Sequence, residues 1–444
     1  MKPPLSTAST AQPAISSHAS GMDKNQWKEA TRLRSYDWGW VIMSIGMAIG
    51  GGIVFLPVKI GLEGLWVFLL SSVIGYPAMY LFQRLFINTL VTSKECTDYP
   101  GIISGYLGRN WGAVLGVLYF TMMIIWIFVY STAVTNDSAS FAHTFGWTKT
   151  LLSENPFYGL VLVIALVAVA SSSEKYLFRV ATGLVLVKLF VVIFLGISVI
   201  PAWSLNNIAA LPPMGELIKR TIVMLPFTLT SILFIQTLSP MVILYRSKGQ
   251  PIEVAHYRAM RAMNIAYGIL FVTVFFYAIS FTLATSHEMA VAAYRANISA
   301  LAMTASTITG QGEKSSIVMA LSLILDIFAV FTAFLTCYQG FREACRGIAM
   351  NMLRRFISEK SINKKFVTYG VLLFTIMVPW GAIVLNLPVL SFTSICSPIF
   401  GLIGCLIPAY LVYKVPALYK YKGFGLKIII VTGILLVVSP FLAF

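Results

Sequence analysis

The stretch Ile49–Pro57, which reads IGGGIVFLP, decides the fold because it places three consecutive glycines inside an apolar segment. Within a continuous helix, Gly50, Gly51 and Gly52 each cost roughly 1 kcal/mol relative to alanine. Close helix packing through small residues is one explanation, but three adjacent glycines do not share one helix face. The alternative is a helix that breaks here and exposes backbone N–H groups at the start of its second half, where an anion can bind.

The composition around this stretch is that of a membrane protein. Of the 444 residues, 58% are hydrophobic and only 11% are charged, whereas an average soluble domain has roughly 25% charged residues. The mean hydropathy is +0.83. These values exclude a soluble enzyme, a disordered chain and a secreted disulfide scaffold. The fold class that remains is an all-α polytopic membrane protein.

The chain contains eleven apolar segments, most of them near the ~20 residues that a helix needs to cross a bilayer. They are 38–60, 64–91, 111–134, 157–172, 180–201, 217–245, 262–285, 315–341, 366–386, 388–413 and 424–443. The fourth has about 16 residues and is retained because charged residues flank it and local thinning of the bilayer covers the shortfall. Residues 1–35 are rich in Ser, Thr, Ala and Pro, then basic, and predict a disordered tail without the apolar core of a signal peptide.

The basic residues predict the orientation. There are 32 Lys and Arg against 16 Asp and Glu, which gives a net charge of +16. With the N-terminus inside, 25 basic residues lie on the inner side, six on the outer side, and Lys188 on neither. This bias predicts a cytoplasmic N-terminus and an outer C-terminus. It also explains the high pI without a nucleic-acid partner, since no basic stripe with interleaved aromatic residues occurs.

A second interruption lies in the sixth segment, where Met224–Ser231 reads MLPFTLTS. Pro226 removes one helix hydrogen bond, and the hydroxyls of Thr228, Thr230 and Ser231 can serve freed backbone groups or a ligand. Interrupted segments in corresponding places of two halves point to the binding site of a transporter.

The positions of the two interruptions predict a five-plus-five inverted repeat. The first segment enters from the inside and the sixth from the outside, as two inverted halves require. The predicted organisation is a single transmembrane domain, 36–443, with repeat one at 38–201, repeat two at 217–413 and an extra helix at 424–443.

Two ionisable residues lie at similar predicted depths within apolar segments. They are Lys188 in the fifth segment and Asp326 in the eighth, and the sequence allows them to meet. A buried charge at such depth is costly unless it is paired or hydrated. A structural ion pair, or a lysine that reaches the interface, is one explanation. The other is a proton-coupling site, since burial disfavours the charged form of a lysine.

The five cysteines and four histidines do not predict a metal or cofactor site. No CxxC pair occurs, and the histidines fall in the tail or in loops, so neither zinc nor haem is expected. The chain has no phosphate-binding GxxxxGK[ST] motif and no Cys/His/Asp/Glu cluster. An enzyme or an ATP-driven pump is therefore not expected.

The glycine motif of the first segment and the five-plus-five arrangement both resemble those of a known family. Gly50–Pro57, followed by Gly61–Gly64 (GLEG), resembles the first-helix signature of the amino acid/auxin permeases. The five-plus-five arrangement resembles the amino acid–polyamine–organocation fold. The similarity covers about residues 36–443 and is closest to the bacterial hydroxy/aromatic amino acid permeases, within them to the serine/threonine branch.

The resemblance implies a substrate site at the two interruptions. The backbone amides of Gly51, Gly52 and Ile53 hold the substrate carboxylate, and Gly50 belongs to the same substrate-binding site. An unwound stretch holds the amino group and part of the side chain at Phe227, Thr228, Thr230 and Ser231.

The resemblance also implies the coupling ion. Lys188 resembles the fifth-helix lysine that takes the place of a sodium ion in proton-driven members, near the carbonyls of Gly46 and Ile49. Sodium-coupled members have hydroxyl residues on the eighth helix, whereas this chain has Asp326, which favours protons.

The expected function is a proton-coupled symporter that imports serine across the bacterial inner membrane, with no cofactor and a periplasmic C-terminus. A threonine or aromatic amino acid permease is the alternative. A non-transporting membrane sensor is less expected, since no signalling domain follows the eleventh segment.

Overall fold

The computed structural model describes residues 21–93, 103, 105–171, 174–247, 251–308, 313–356 and 363–443, and these residues form helices and no strand. The α-helices are α1 Lys24–Ala30, α2 Ser35–Ala48, α3 Gly51–Glu63, α4 Leu65–Thr92, α5 Arg109–Thr144, α6 Pro156–Ala170, α7 Glu174–Ser198, α8 Met214–Thr230, α9 Ile235–Ser247, α10 Ile252–Ala284, α11 His287–Ala296, α12 Ala300–Ile308, α13 Glu313–Phe356, α14 Lys364–Val384, α15 Val389–Phe400, α16 Ile407–Lys414 and α17 Phe424–Ala443. A π-helical turn, Gly401–Leu406, joins α15 to α16.

The helices have the lengths and composition of membrane spans. Among the described residues, eight helices are long and apolar enough to cross a bilayer, and counting each of two bent helix pairs as one span gives ten. The all-α membrane architecture is therefore confirmed. The predicted fourth segment is α6, an apolar helix of 15 residues, which is shorter than these spans. The total of eleven stays a prediction.

Both predicted helix breaks are present. The first pair consists of α2 and α3, which are bent by 43°, and the second of α8 and α9, bent by 41°. The first break falls at Ile49 and Gly50, so that α3 begins at Gly51. It therefore lies where the glycine run predicts it.

The second break lies later than the sequence predicts, and the predicted unwound stretch Phe227–Ser231 is wrong. Helix α8 continues through Pro226 to Thr230, and the unwound residues are 231–234. Thr228 Oγ1 donates to Met224 O (3.3 Å) and Thr230 Oγ1 to Pro226 O (2.8 Å). Both hydroxyls bond back to their own helix, and the single hydrogen bond that Pro226 removes, to the Ile222 carbonyl, does not end that helix. In the true break, the buried Gln83 Nε2 donates to Ile232 O at 3.4 Å.

Two other predicted boundaries differ from the structure. Helix α5 ends at Thr144, ten residues beyond the predicted end at 134, because the polar Asp137 is 1% exposed and buried in protein and does not mark a membrane surface. The predicted disordered tail contains helix α1, whose first turn is capped by Asp23 and Gln26. Residues 1–20 lie outside the described residues.

The packing brings the two bent pairs together. Helix α4 packs along α8, α5 along α13, and α2 against both α7 and α10. One hydrophobic core extends from α2 to α17. The two breaks are consequently enclosed by helices from both predicted repeats.

Candidate functional site

The two breaks face each other at their helix ends. A Cβ placed on Gly52 would lie 3.2 Å from Thr230 O and 3.6 Å from Ser231 Cα. The start of α3 therefore approaches the end of α8 so closely that a side chain would force them apart. A helix start carries partial positive charge and a helix end partial negative charge. Side by side, they suit a ligand with both a carboxylate and an ammonium group.

Two backbone amides at the start of α3 are available to an anion. Gly50 is the N-cap residue and provides no side-chain cap. The Ile53 N–H donates to Gly50 O at 3.0 Å, so it is engaged within the helix. The N–H groups of Gly51 and Gly52 precede this bond and have no partner along the helix. Of the amides that the resemblance implies, these two remain available.

The hydroxyls at the end of α8 point to several different partners. Thr228 Oγ1 lies 2.8 Å from Ser71 Oγ on α4, and Ser231 Oγ donates to Thr228 O at 2.8 Å. Thr230 lines a cavity between α4, α8, α15 and α17, away from the glycines. The Phe227 carbonyl accepts the Ser231 N–H at 3.0 Å. The structure therefore does not gather these residues around one ligand-sized space.

Lys188 is held at the end of α2. Its side chain is 1% exposed, and Nζ donates to Gly46 O at 2.8 Å, to Ile49 O at 2.9 Å and to Thr332 Oγ1 at 3.1 Å. An ammonium group has three donors, and each finds one acceptor here. Gly46 allows the approach, since a Cβ there would overlap with Val185 on α7. The two carbonyls are those that the resemblance implies.

Asp326 does not meet Lys188, and the predicted pair is wrong. Within the described part of the chain, none of the ion pairs contains either residue. The carboxyl of Asp326 instead contacts the carboxyl of Asp137 on α5. Sequence reasoning missed Asp137 because it ended the third segment at 134, three residues before Asp137. The sequence signal was an acid one helical turn beyond an apolar run.

A second buried charged group was also missed. Asp37 on α2 forms a bidentate pair with Arg258 on α10, with Arg258 Nε 3.0 Å from Asp37 Oδ1 and Nη2 3.0 Å from Oδ2. Their side chains are 1% and 2% exposed, and the Tyr245 hydroxyl donates to the same carboxylate. No spacing in the sequence connects residues so far apart.

With this geometry established, comparisons with known proteins place the chain. No family model matches it. The probable serine transporter of Escherichia coli (strain K12) is 66% identical over 424 residues, which cover 96% of this chain and 95% of that protein. The chain belongs to the bacterial serine transporter family. Its membership is consistent with the resemblance to the hydroxy/aromatic amino acid permeases, and the family is one of transporters and not of enzymes.

A more distant relative is also named a serine transporter, and a solved structure has a similar fold. The serine transporter SdaC of Escherichia coli (strain K12) is 25% identical over 421 residues, covering 91% of this chain and 94% of SdaC. The crystal structure of MhsT in complex with L-phenylalanine has a TM-score of 0.57 at 14% identity and covers 91% of this chain and 98% of MhsT. That similarity shows that this chain shares the fold of MhsT.

Proposed function

We propose that this protein is a proton-coupled symporter that imports serine across the bacterial inner membrane. The observation that carries the proposal is the pair of facing helix ends, with the free amides of Gly51 and Gly52 beside the end of α8. The names of the relatives support serine as the substrate. The proposed orientation has a cytoplasmic N-terminus and a periplasmic C-terminus, and no nucleic acid takes part.

The substrate is bound as a zwitterion. Its carboxylate accepts hydrogen bonds from the Gly51 and Gly52 amides, at the positive end of α3. Its ammonium group lies at the negative end of α8, where residues 231–234 are unwound. Binding requires α3 and α8 to separate slightly, because Gly52 already lies against Thr230. The close approach favours a small substrate over an aromatic one.

The coupling proton is carried by Lys188. In the protonated state the ammonium group makes three hydrogen bonds and compensates the carbonyl end of α2. Loss of the proton removes one donor and the positive charge, so the contact between α7, α13 and α2 weakens. Since α2 is the half of the first span next to the carboxylate site, a change at Lys188 alters the geometry of the substrate site.

The test is labelled serine uptake into proteoliposomes with an inside-alkaline pH gradient, in competition with each of the twenty amino acids. We expect accumulation with protons alone, with serine the best competitor and threonine weaker. Because Gly52 already lies against Thr230, bulky side chains are disfavoured, so valine and the aromatic amino acids should compete poorly. If tryptophan or tyrosine competes best, the aromatic alternative replaces this proposal. Accumulation that strictly requires sodium contradicts the coupling.

A further inference from the structure

Two buried carboxyl groups have no role in the site described so far. Asp137 on α5 and Asp326 on α13 are 1% and 2% exposed, and their carboxyls lie beside each other and against Ser299. In the part of the chain that the structure describes, neither carboxyl forms an ion pair. The pair is thus enclosed without a compensating cation.

The surroundings of the pair are polar but incompletely hydrogen bonded. The Ser299 N–H donates to Asp137 Oδ1 at 2.8 Å. Among the described residues, Asp137 Oδ2 and Asp326 Oδ1 are buried without a hydrogen-bond partner. The same holds for the hydroxyl of Tyr277, which lies on α10 close enough to Asp326 to interact with its charge. Ser322 Oγ, one helical turn before Asp326, is also unpartnered within that part of the chain.

The neighbouring charged groups are engaged elsewhere. Helix α7 contributes Lys188, which is held at Gly46 and Ile49. Helix α3 contributes Lys59 and Glu63, which pair with each other at 2.7 Å. Helix α12 and the residues before it contribute only Ser299 to the pair. Among the described residues, the titratable groups that interact with the carboxyls are each other and Tyr277.

Two carboxylates in contact cannot both be ionised in such surroundings. Burial disfavours each charge, and the repulsion between them adds to this cost. One proton shared between the two oxygens removes one charge and forms a short carboxyl–carboxylate hydrogen bond. Each carboxyl has one buried oxygen without a hydrogen-bond partner among the described residues, which leaves a position for that proton.

We propose that Asp137 and Asp326 form a second proton-binding site, separate from Lys188, that takes up and releases one proton during transport. This inference rests on the proposed symport. In the release step, the carboxyl O–H bond breaks and the proton passes to water, which leaves two carboxylates. Release accompanies undocking of the segment 297–299, because undocking removes the Ser299 N–H and admits water.

The structure links this site to both the linker between α11 and α12 and Lys188. Asn136 Nδ2, beside Asp137, lies 3.5 Å from Asn297 O and 3.1 Å from Asn386 Oδ1, so the linker between α11 and α12 is fastened next to the carboxyls. Thr332, a partner of Lys188, follows Asp326 by six residues on α13, about 9 Å along the helix axis. A shift of α13 therefore changes both proton sites.

The deciding experiment is infrared difference spectroscopy of the reconstituted protein at neutral pH, with and without serine. We expect a carbonyl band of a protonated carboxylic acid that shifts in heavy water and changes when serine is added. The double variant Asp137→Asn/Asp326→Asn should lack the band, whereas Lys188→Met and the exposed control Asp23→Asn should keep it. If the double variant does not insert into the membrane, the single variant Asp326→Asn is measured instead. The proposal requires that this variant shift or remove the carbonyl band.

Transport by the same variants tests the role in coupling. The double variant should retain serine exchange without a gradient, while its inside-to-outside serine ratio under a pH gradient falls toward unity. Absence of the band, or a band indifferent to serine, overturns the second site even if symport is established. If the wild type shows no proton-driven uptake, symport itself fails, and a serine-sensitive band would still locate a titrating site here.

Discussion

At the scale of single residues, the absence of a side chain at Gly52 is what allows α3 and α8 to meet. A leucine there would displace Thr230 and block the two amides. Loss of a charge-assisted hydrogen bond costs about 1.5–3 kcal/mol, so we expect Gly52→Leu to weaken serine affinity roughly tenfold or more. Gly39→Leu is the matched control, since a Cβ at Gly39 has no neighbour within 4 Å. Equal affinity in both variants, measured by labelled serine binding, would remove the carboxylate site from α3.

Lys188 is the residue whose chemistry separates coupling from binding. Methionine has similar length but no proton and no donors, so Lys188→Met should abolish accumulation driven by a pH gradient. Exchange of labelled for unlabelled serine should continue with an altered affinity, because the amides of Gly51 and Gly52 remain in place, and sodium should not restore accumulation. The exposed Lys219→Met serves as the control in the same proteoliposome assay. Gradient-driven accumulation by Lys188→Met would exclude Lys188 as the carrier of the coupling proton.

The contrast between Lys188 and Asp326 shows what the sequence could predict at this scale. The depth of each residue follows from its position in an apolar segment, and burial of both is observed. Their partners depend on how α2, α5, α7 and α13 pack, which residue spacing along one helix does not specify. For Lys188 the family resemblance supplied the missing contact. For Asp326 it did not, and proximity in depth suggested the wrong partner.

At the scale of helices, the ion pair between Asp37 and Arg258 fastens α2 to α10. Removing one partner of a buried pair leaves an uncompensated charge, which costs about 3–5 kcal/mol. We therefore expect Arg258→Met to lower the thermal unfolding temperature in detergent markedly, and Asp37→Asn/Arg258→Met to recover part of the loss. Arg220→Met breaks a half-exposed pair with Glu216 and should change little. A double variant no more stable than the single one would argue against charge as the cause.

The two helix breaks differ in how well the sequence predicts them. Three glycines weaken a helix wherever they occur, so the first break lies within the motif. A proline removes one helix hydrogen bond only, and α8 continues past Pro226 to Thr230. The second break therefore forms where Tyr76 and Gln83 from α4 reach the chain. These residues of α4 lie 155 and 149 residues away from their partners in the sequence, beyond the reach of a local pattern.

At the scale of the whole molecule, long apolar segments translate directly into long helices because each must satisfy its own backbone within a bilayer. A search for long apolar segments overlooks α11 and α12, which are 10 and 9 residues long. These short helices lie between the seventh and eighth predicted segments, where hydropathy shows no span. Yet the linker between them contributes Ser299 to the carboxyl pair, so part of the proposed proton site lay in a segment without a hydropathy signal.

The orientation of the molecule determines which side exchanges protons with the carboxyl pair. The distribution of basic residues predicts α11 outside and the segment between α16 and α17 inside. With Cys96 and the half-buried Cys337 replaced, single cysteines at the exposed Arg295 and Lys420 should distinguish the two sides, since Cys345, Cys396 and Cys405 are buried. We expect Arg295→Cys to react with a membrane-impermeant maleimide in intact cells, and Lys420→Cys only after permeabilisation. The reverse pattern would invert the topology and place the proposed carboxyl site on the cytoplasmic side, where an inward gradient could not load it.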